Sequence, residues 1–245
     1  MISRVFLYFV LIPALLPVAI ILYYVYSKDK KEREPISLLA KTLAFGALFS
    51  LPCIPVEGIL GSVFANIFDT TTIEYALVEY TIGVALVEEF FKFLVLMIYI
   101  WKNRNFDYRY DGIVYAVTSS LGFAALENII YILNYGTGVS IGRAIFAIPG
   151  HTTFGVLMGF FFARAKDWSL RGNGARSGLN LILSLFVPMC VHGIYDFLLS
   201  EPAQTAGLNV FFLIYVIALD VVAFFTIRHD FKTDRPLGVN YEVIK

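Results

Sequence analysis

The sequence predicts an all-α, polytopic membrane helix bundle of about seven transmembrane helices, N-terminus outside and C-terminus inside. Three observations carry this expectation. The chain has 245 residues, of which 58% are hydrophobic and only 16% charged, with a mean hydropathy of +0.73, the composition of a protein that lives in lipid. Apolar runs able to cross ~30 Å of hydrocarbon with about 20 residues each recur seven times along it. Lys and Arg, finally, are confined to alternate connections between those runs.

The first run, residues 5–26, contains Pro13 and Pro17 and leads into SKDKKERE without a small-residue cleavage site. It reads as a retained helix, not a secretion signal. The next six runs are residues 36–60, 78–101, 112–134, 142–165, 178–200 and 208–229. Lys28, Lys30, Lys31 and Arg33 make the first connection basic; Lys102, Arg104 and Arg109 do so for the third, and Arg164, Lys166, Arg171 and Arg176 for the fifth. The tail is basic too, while the intervening connections hold only Arg143. Positive charge stays inside, so the alternation sets the orientation and requires an odd number of spans. Trp101 and Trp168 fall at the inner ends, where indole rings are favoured.

Composition also excludes some classes. A formal net charge of zero argues against a nucleic-acid partner, because the basic loops are already explained by topology. Cys53 and Cys190 both lie within spans and read as small buried residues. No internal repeat, low-complexity tract or soluble domain is visible, so residues 1–245 are read as one integral membrane domain whose motif-bearing core is 78–200.

Within the spans stand charges that membrane helices avoid. Each costs about 2.5–3.5 kcal/mol at a helix centre on the insertion scale. Glu88, Glu89 and Lys92 lie in the third run (LVEEFFKFLV), Glu127 and Asn128 in the fourth (GFAALENII), His151 in the fifth (PGHTTFG), and His192 and Asp196 in the sixth (CVHGIYDFL). Counted from the outer boundary at ~1.5 Å per residue, Glu88 lies ~15 Å deep, Glu127 ~10 Å, and His151 and His192 ~12 Å each. Four consecutive helices, alternating in direction, thus bring carboxylates and imidazoles to one level in the outer half of the membrane. Lys92 lies angularly between Glu88 and Glu89 and can reach either. His192 and Asp196 share a face at i, i+4, so the carboxylate can hold the imidazole in one tautomer. His151 shares a face with Gly155 and Gly159, which permit close helix approach. With neutral histidines the layer carries a net charge of −3, which calls for protons, water or a cation.

The order and spacing of these residues resemble the PrsW family of intramembrane proteases, marked by Glu-Glu-x-x-Lys, Phe-x-x-x-Glu and two downstream histidines. The matching positions are Glu88, Glu89 and Lys92, Phe123 and Glu127, His151, and His192 with Asp196. A more distant similarity is to the CAAX prenyl protease superfamily, which has Glu-Glu-x-x-x-Arg in the first position. The likeness runs from the third to the sixth span; the other three carry no motif. It implies a multi-pass protein of the bacterial plasma membrane that cleaves a single-pass, membrane-anchored substrate such as an anti-sigma factor near the outer face, within transmembrane stress signalling.

Glu88, Glu89, Glu127, His151 and His192 are then the expected catalytic residues, supported by Lys92, Asn128 and Asp196. One mechanism makes a carboxylate of the Glu88/Glu89 pair, Glu89 by preference, the general base on water, with the histidines orienting that water or stabilising the oxyanion. The other uses zinc, for which two histidines and up to three glutamates form a donor set. A third reading is a proton- or cation-coupled transporter, which also places Glu and His inside a bundle. Against it stand the absent repeat, the odd span count and the offset of the layer toward one face.

Overall fold

The computed structural model describes residues 4–239, with side-chain surroundings from residue 11 onward. The two ends of the expected 1–245 unit, residues 1–3 and 240–245, lie outside the described residues. The described chain is helical almost throughout, as lipid demands, since backbone polar groups there must pair within their own segment. Its β-pairing, among the described residues, is one isolated bridge between Tyr108 and Pro236.

The helices follow the apolar runs. α1 spans Arg4–Lys28, with Pro13 and Pro17 inside it. The second run is two helices, α2 (Ile36–Ser50) and α3 (Cys53–Ala65), parted at Leu51 and Pro52 because proline has no N–H to continue the ladder. The third run starts earlier than expected, with α4 at Ile73–Val78, capped by the Thr72 side chain accepting from the Tyr75 N–H. It continues through a wide π segment, Glu79–Ala85, into α5 (Leu86–Val95) and a second π segment, Leu96–Ile100. α6 is Arg109–Tyr135. After the short α7 (Ser140–Gly142) and another π segment at Arg143–Ala147 comes α8, Ile148–Leu170. α9 (Gly174–Leu199), the short α10 (Glu201–Thr205) and α11 (Phe212–Lys232) complete the chain.

Six described helical stretches are long and apolar enough to cross a membrane: Leu11–Lys28, Ile36–Ala65, Arg109–Tyr135, Thr137–Leu170, Gly174–Leu199 and Leu208–Lys232. The stretch of α4 and α5, where the third of the seven spans was expected, is as long but carries the charges of Glu88, Glu89 and Lys92. Burial ranks the helices. The window in α6 is 78% buried, against 17% for those of α1, α2–α3 and α11, so α6 is the central post and the latter face outward.

Close backbone contact holds α6 in place. A Cβ on Gly159 of α8 would collide with the Gly112 carbonyl of α6, and one on Gly122 of α6 with the Leu43 carbonyl of α2. Hydroxyls add ties at the same contacts: Ser119 donates to the Lys92 carbonyl at 3.3 Å and Ser120 to the His151 carbonyl at 2.6 Å. At the expected inner face, Asp167 of α8 gathers Arg109, Arg171 and the Gly238 N–H at 2.5, 2.9 and 2.9 Å, pinning the segment after α11 beneath the bundle.

Candidate active site

The ten residues of α5 lie between two π segments, a geometry that recurs at functional sites because the extra residue per turn rotates the side chains beyond it. Val87, Glu88, Glu89, Lys92 and Val95 face inward, while Phe90 is exposed. Burial of three charged side chains on one short helix is tolerable only with partners, and the partners come from α6, α8 and α9.

Lys92 stands at the centre. It is fully buried, and its ammonium lies 3.1 Å from Glu88 Oε2, 2.7 Å from Glu89 Oε1 and 3.0 Å from His151 Nδ1. Three N–H donors thus meet three acceptors, and Phe123 lies beneath, its ring centroid 4.4 Å from Nζ. Accepting from Lys92 at Nδ1 leaves the proton of neutral His151 on Nε2, which donates to Glu127 Oε2 at 2.9 Å. The i, i+4 spacing of Phe123 and Glu127 on α6 therefore has a physical basis. One residue supports the ammonium and the other fixes the tautomer of the imidazole beside it.

His192 completes the cluster from α9. Its Nδ1 lies 2.9 Å from Glu89 Oε1 and its Nε2 3.2 Å from Asp196 Oδ2, with Glu88 Oε2 at 4.0 Å. The ring stacks on Phe154, centroid to centroid 4.4 Å. His151 and His192 are 5.6 Å apart. The structure thus gathers Glu88, Glu89, Lys92, Glu127, His151, His192 and Asp196 into one connected network. Asn128, the remaining expected residue, stands one step out, where its Oδ1 accepts from Arg143 Nε at 2.6 Å.

A cavity of 640 Å³ opens against this network. Glu88, Glu127, His151, His192 and Asp196 line it, but Glu89 does not. Glu89 is 0% exposed behind them, its Oε1 shared between Lys92 and His192 and its Oε2 enclosed without a hydrogen-bond partner. The two neighbouring glutamates differ accordingly. Glu88 presents its carboxylate to the cavity, and Glu89 locks a lysine and a histidine behind it.

Four contributors go unmarked in the sequence analysis. Arg143, taken there for a loop charge, lies 2.8 Å from Glu127 Oε1 and stacks on Tyr131 at 3.8 Å. Glu57 of α3 lines the same cavity, with Oε1 buried and unpartnered. Its signal was present, since a Glu in CIPVEGIL carries the same insertion cost that singled out the others. Tyr80 and Tyr195 line the cavity as well, beside Phe123, Phe146, Phe154 and Phe212.

The donor set suits a zinc-type ion. Glu88, Glu89 and His192 offer ligand atoms within 4.8 Å of one another, as do Glu88, Glu127 and His151, so Glu88 is common to both groups. These are the nitrogen and oxygen donors that zinc accepts, and Glu89, a member of the first group, keeps one oxygen, Oε2, without a hydrogen-bond partner. Lys92 competes, because its ammonium already neutralises the same oxygens. Cys53 and Cys190 are free thiols, and neither belongs to a ligand group among the described residues.

Comparison with known proteins points to one family. A family model described as PrsW family intramembrane metalloprotease matches residues 34–224. Protease PrsW of Oceanobacillus iheyensis is 35% identical over 215 residues, covering 86% of this chain and 91% of that relative. Protease PrsW of Geobacillus kaustophilus is 36% identical over 189 residues, covering 75% of this chain and 76% of that relative. For Protease PrsW of Bacillus subtilis the identity is 33% over 187 residues, with 74% and 78% covered. No solved structure matches the chain.

Proposed function

The chain belongs to the PrsW family of intramembrane metalloproteases and is a multi-pass membrane protease, and from that premise we propose that it hydrolyses a single-pass membrane protein near the outer face, with Glu88 as the general base. The observation that carries the choice of Glu88 is its position. It is the one member of the Glu-Glu pair lining the cavity, while its neighbour is sealed behind it. This revises the sequence-based preference for Glu89, since a base must reach the water it deprotonates.

In this reading a water in the cavity gives a proton to Glu88 as its oxygen attacks the scissile carbonyl carbon, forming the C–O bond. Glu88 then returns the proton to the amide nitrogen as the C–N bond breaks, leaving a carboxylate and an amine. His192, which lines the same wall, shares its Nε2–H between Asp196 at 3.2 Å and the developing oxyanion. Glu89 and Asp196 orient His192, Glu127 orients His151, and Lys92 holds the Glu pair together. Positioning of this kind costs no reorganisation during the reaction. A zinc-type ion held by Glu88 with Glu89 and His192, or with Glu127 and His151, would supply Lewis acidity and a more acidic water.

The family resemblance supports a substrate of the anti-sigma-factor type, and hence a role in transmembrane stress signalling. Residues 78–200, which hold all the motifs, form the catalytic core of a single domain in this account. Co-expression with a tagged single-pass reporter bearing a short extracytoplasmic region tests it. Wild type cleaves the reporter, and Glu88→Gln and His192→Ala do not at matched protein levels. Equal cleavage by all three would remove these residues from the site. Metal analysis of the active, purified protein decides the ion: stoichiometric zinc with loss of activity on chelation supports it, and full activity without metal refutes it.

A further inference from the structure

A second group of buried carboxylates lies outside the protease site, where the end of α1, its connection to α2 and the start of α6 meet. Asp29, Glu34 and Asp111 are 1%, 3% and 0% exposed, and one oxygen from each lies within 4.8 Å of the others. Local bonds hold all three. Asp111 Oδ2 caps α6 by accepting from the Asp107 and Tyr108 N–H groups at 3.0 and 2.6 Å, and Asp29 Oδ2 accepts from the Glu34 N–H at 3.3 Å. The Tyr115 hydroxyl donates to Glu34 Oε2.

These bonds use one oxygen of each aspartate. The other, Oδ1 of both Asp29 and Asp111, is enclosed in protein and has no hydrogen-bond partner. None of the three carboxylates forms an ion pair with Lys, Arg or His among the described residues. Buried carboxylates are ordinarily paired or coordinate a metal.

We propose that Asp29, Glu34 and Asp111 form a binding site for a hard divalent cation, magnesium or calcium, that ties the α1–α2 connection to the start of α6. The donors are all oxygen, the set that selects hard cations over zinc or copper. Oxygens that ligate one calcium ion, each ~2.4 Å from it, stand no more than ~4.8 Å apart, and one oxygen from each of the three acids lies within that limit. The site is separate from the protease cavity. Asp111 precedes Glu127 by sixteen residues on α6, or ~24 Å along the axis.

Terbium is the probe, because it replaces hard divalent cations and emits when a nearby tyrosine is excited, and Tyr115 touches Glu34. Full-length protein, purified in detergent and stripped with chelator, is titrated with terbium, then with magnesium or calcium in separate arms. The expected result is a saturable, tyrosine-sensitised emission that one or both cations displace, the more effective one identifying the natural occupant. Asp111→Asn and Asp29→Asn each weaken terbium binding at least tenfold, whereas Glu201→Gln, at an exposed acid outside both carboxylate groups, leaves it unchanged. Asparagine keeps a capping oxygen for α6, and Asp29→Asn reads the site even if Asp111→Asn fails to fold. Absence of sensitised emission, emission that neither cation displaces, emission unchanged in the aspartate variants, or emission lost in Glu201→Gln would each overturn the proposal.

Discussion

Toward one end of α6, Glu127 is held between Arg143 at 2.8 Å and His151 at 2.9 Å, while toward the other Asp111 lies against Asp29 and Glu34 with no basic side chain paired to any of the three among the described residues. Both groups are buried carboxylates on the same helix. In the first, Lys92 and Arg143 are built in as counter-charges and two imidazoles as hydrogen-bond partners, so the acids are held where they stand and their geometry is preset. In the second, tyrosine and backbone donors satisfy some oxygens and leave others bare. A site that must act on a substrate carries its own counter-charges and keeps one carboxylate, Glu88, facing an open cavity. A site that lacks them has its charge left for a ligand to balance.

The largest way to break this comparison is to neutralise the carboxylate facing the cavity. Glu88→Gln lowers the cleavage rate by about 10²–10⁴, the usual contribution of general-base catalysis, with little change in melting temperature. Glu89→Gln lowers both, because Glu89 bonds Lys92 and His192 from within. A Glu89→Gln protein as active as wild type and a dead Glu88→Gln would sharpen the distinction further, and the reverse pattern would restore Glu89 as the base.

Next in size is the central cation. Lys92→Met leaves Glu88 and Glu89 buried without their shared partner and costs about 3–5 kcal/mol, the range for breaking a buried pair. Thermal unfolding in detergent measures it, and adding Glu89→Gln to Lys92→Met recovers part of the loss. Unchanged stability in the single variant would mean that another cation already compensates the acids. Arg143→Ala removes a partner that is itself partly exposed. We expect ~1–2 kcal/mol from losing a charge-assisted bond, read chiefly as slower cleavage at unchanged substrate affinity, with Arg143→Lys restoring part of the rate.

The smallest effect is at the acidic end, and its sign is opposite. In chelator, Asp29→Asn removes an uncompensated buried charge and stabilises the fold by about 1 kcal/mol or less, read as a higher melting temperature. With magnesium or calcium present, wild type is the more stable of the two. A variant that is less stable than wild type under both conditions would show that the acids are compensated already.

Much of the active end was legible in the sequence because each charge in an apolar run announces its own cost. Glu88, Glu89, Lys92, Glu127, His151 and His192 were found that way, and a depth count at a fixed rise per residue placed them at one level. What the count could not supply was rotation. The π segments at Glu79–Ala85 and Leu96–Ile100 set which of two adjacent glutamates faces the cavity, and no local pattern in LVEEFFKFLV distinguishes them. Arg143 was hidden because a basic residue in a connection looks like a topology marker until Glu127 is seen beside it. Asp29, Glu34 and Asp111 were hidden for a related reason. Acids at helix ends and in connections are ordinarily solvated, and only the packing of α1, α2 and α6 buries these.

The most direct measurement is cleavage of a purified single-pass substrate in proteoliposomes, with the cut bond located by mass spectrometry for wild type and Glu88→Gln. The account predicts a cut within the outer half of the substrate's membrane segment or just beyond it, level with Glu88, and a product yield at least a hundredfold lower for Glu88→Gln. A cut in the cytoplasmic half, or equal yields from the two proteins, would contradict it.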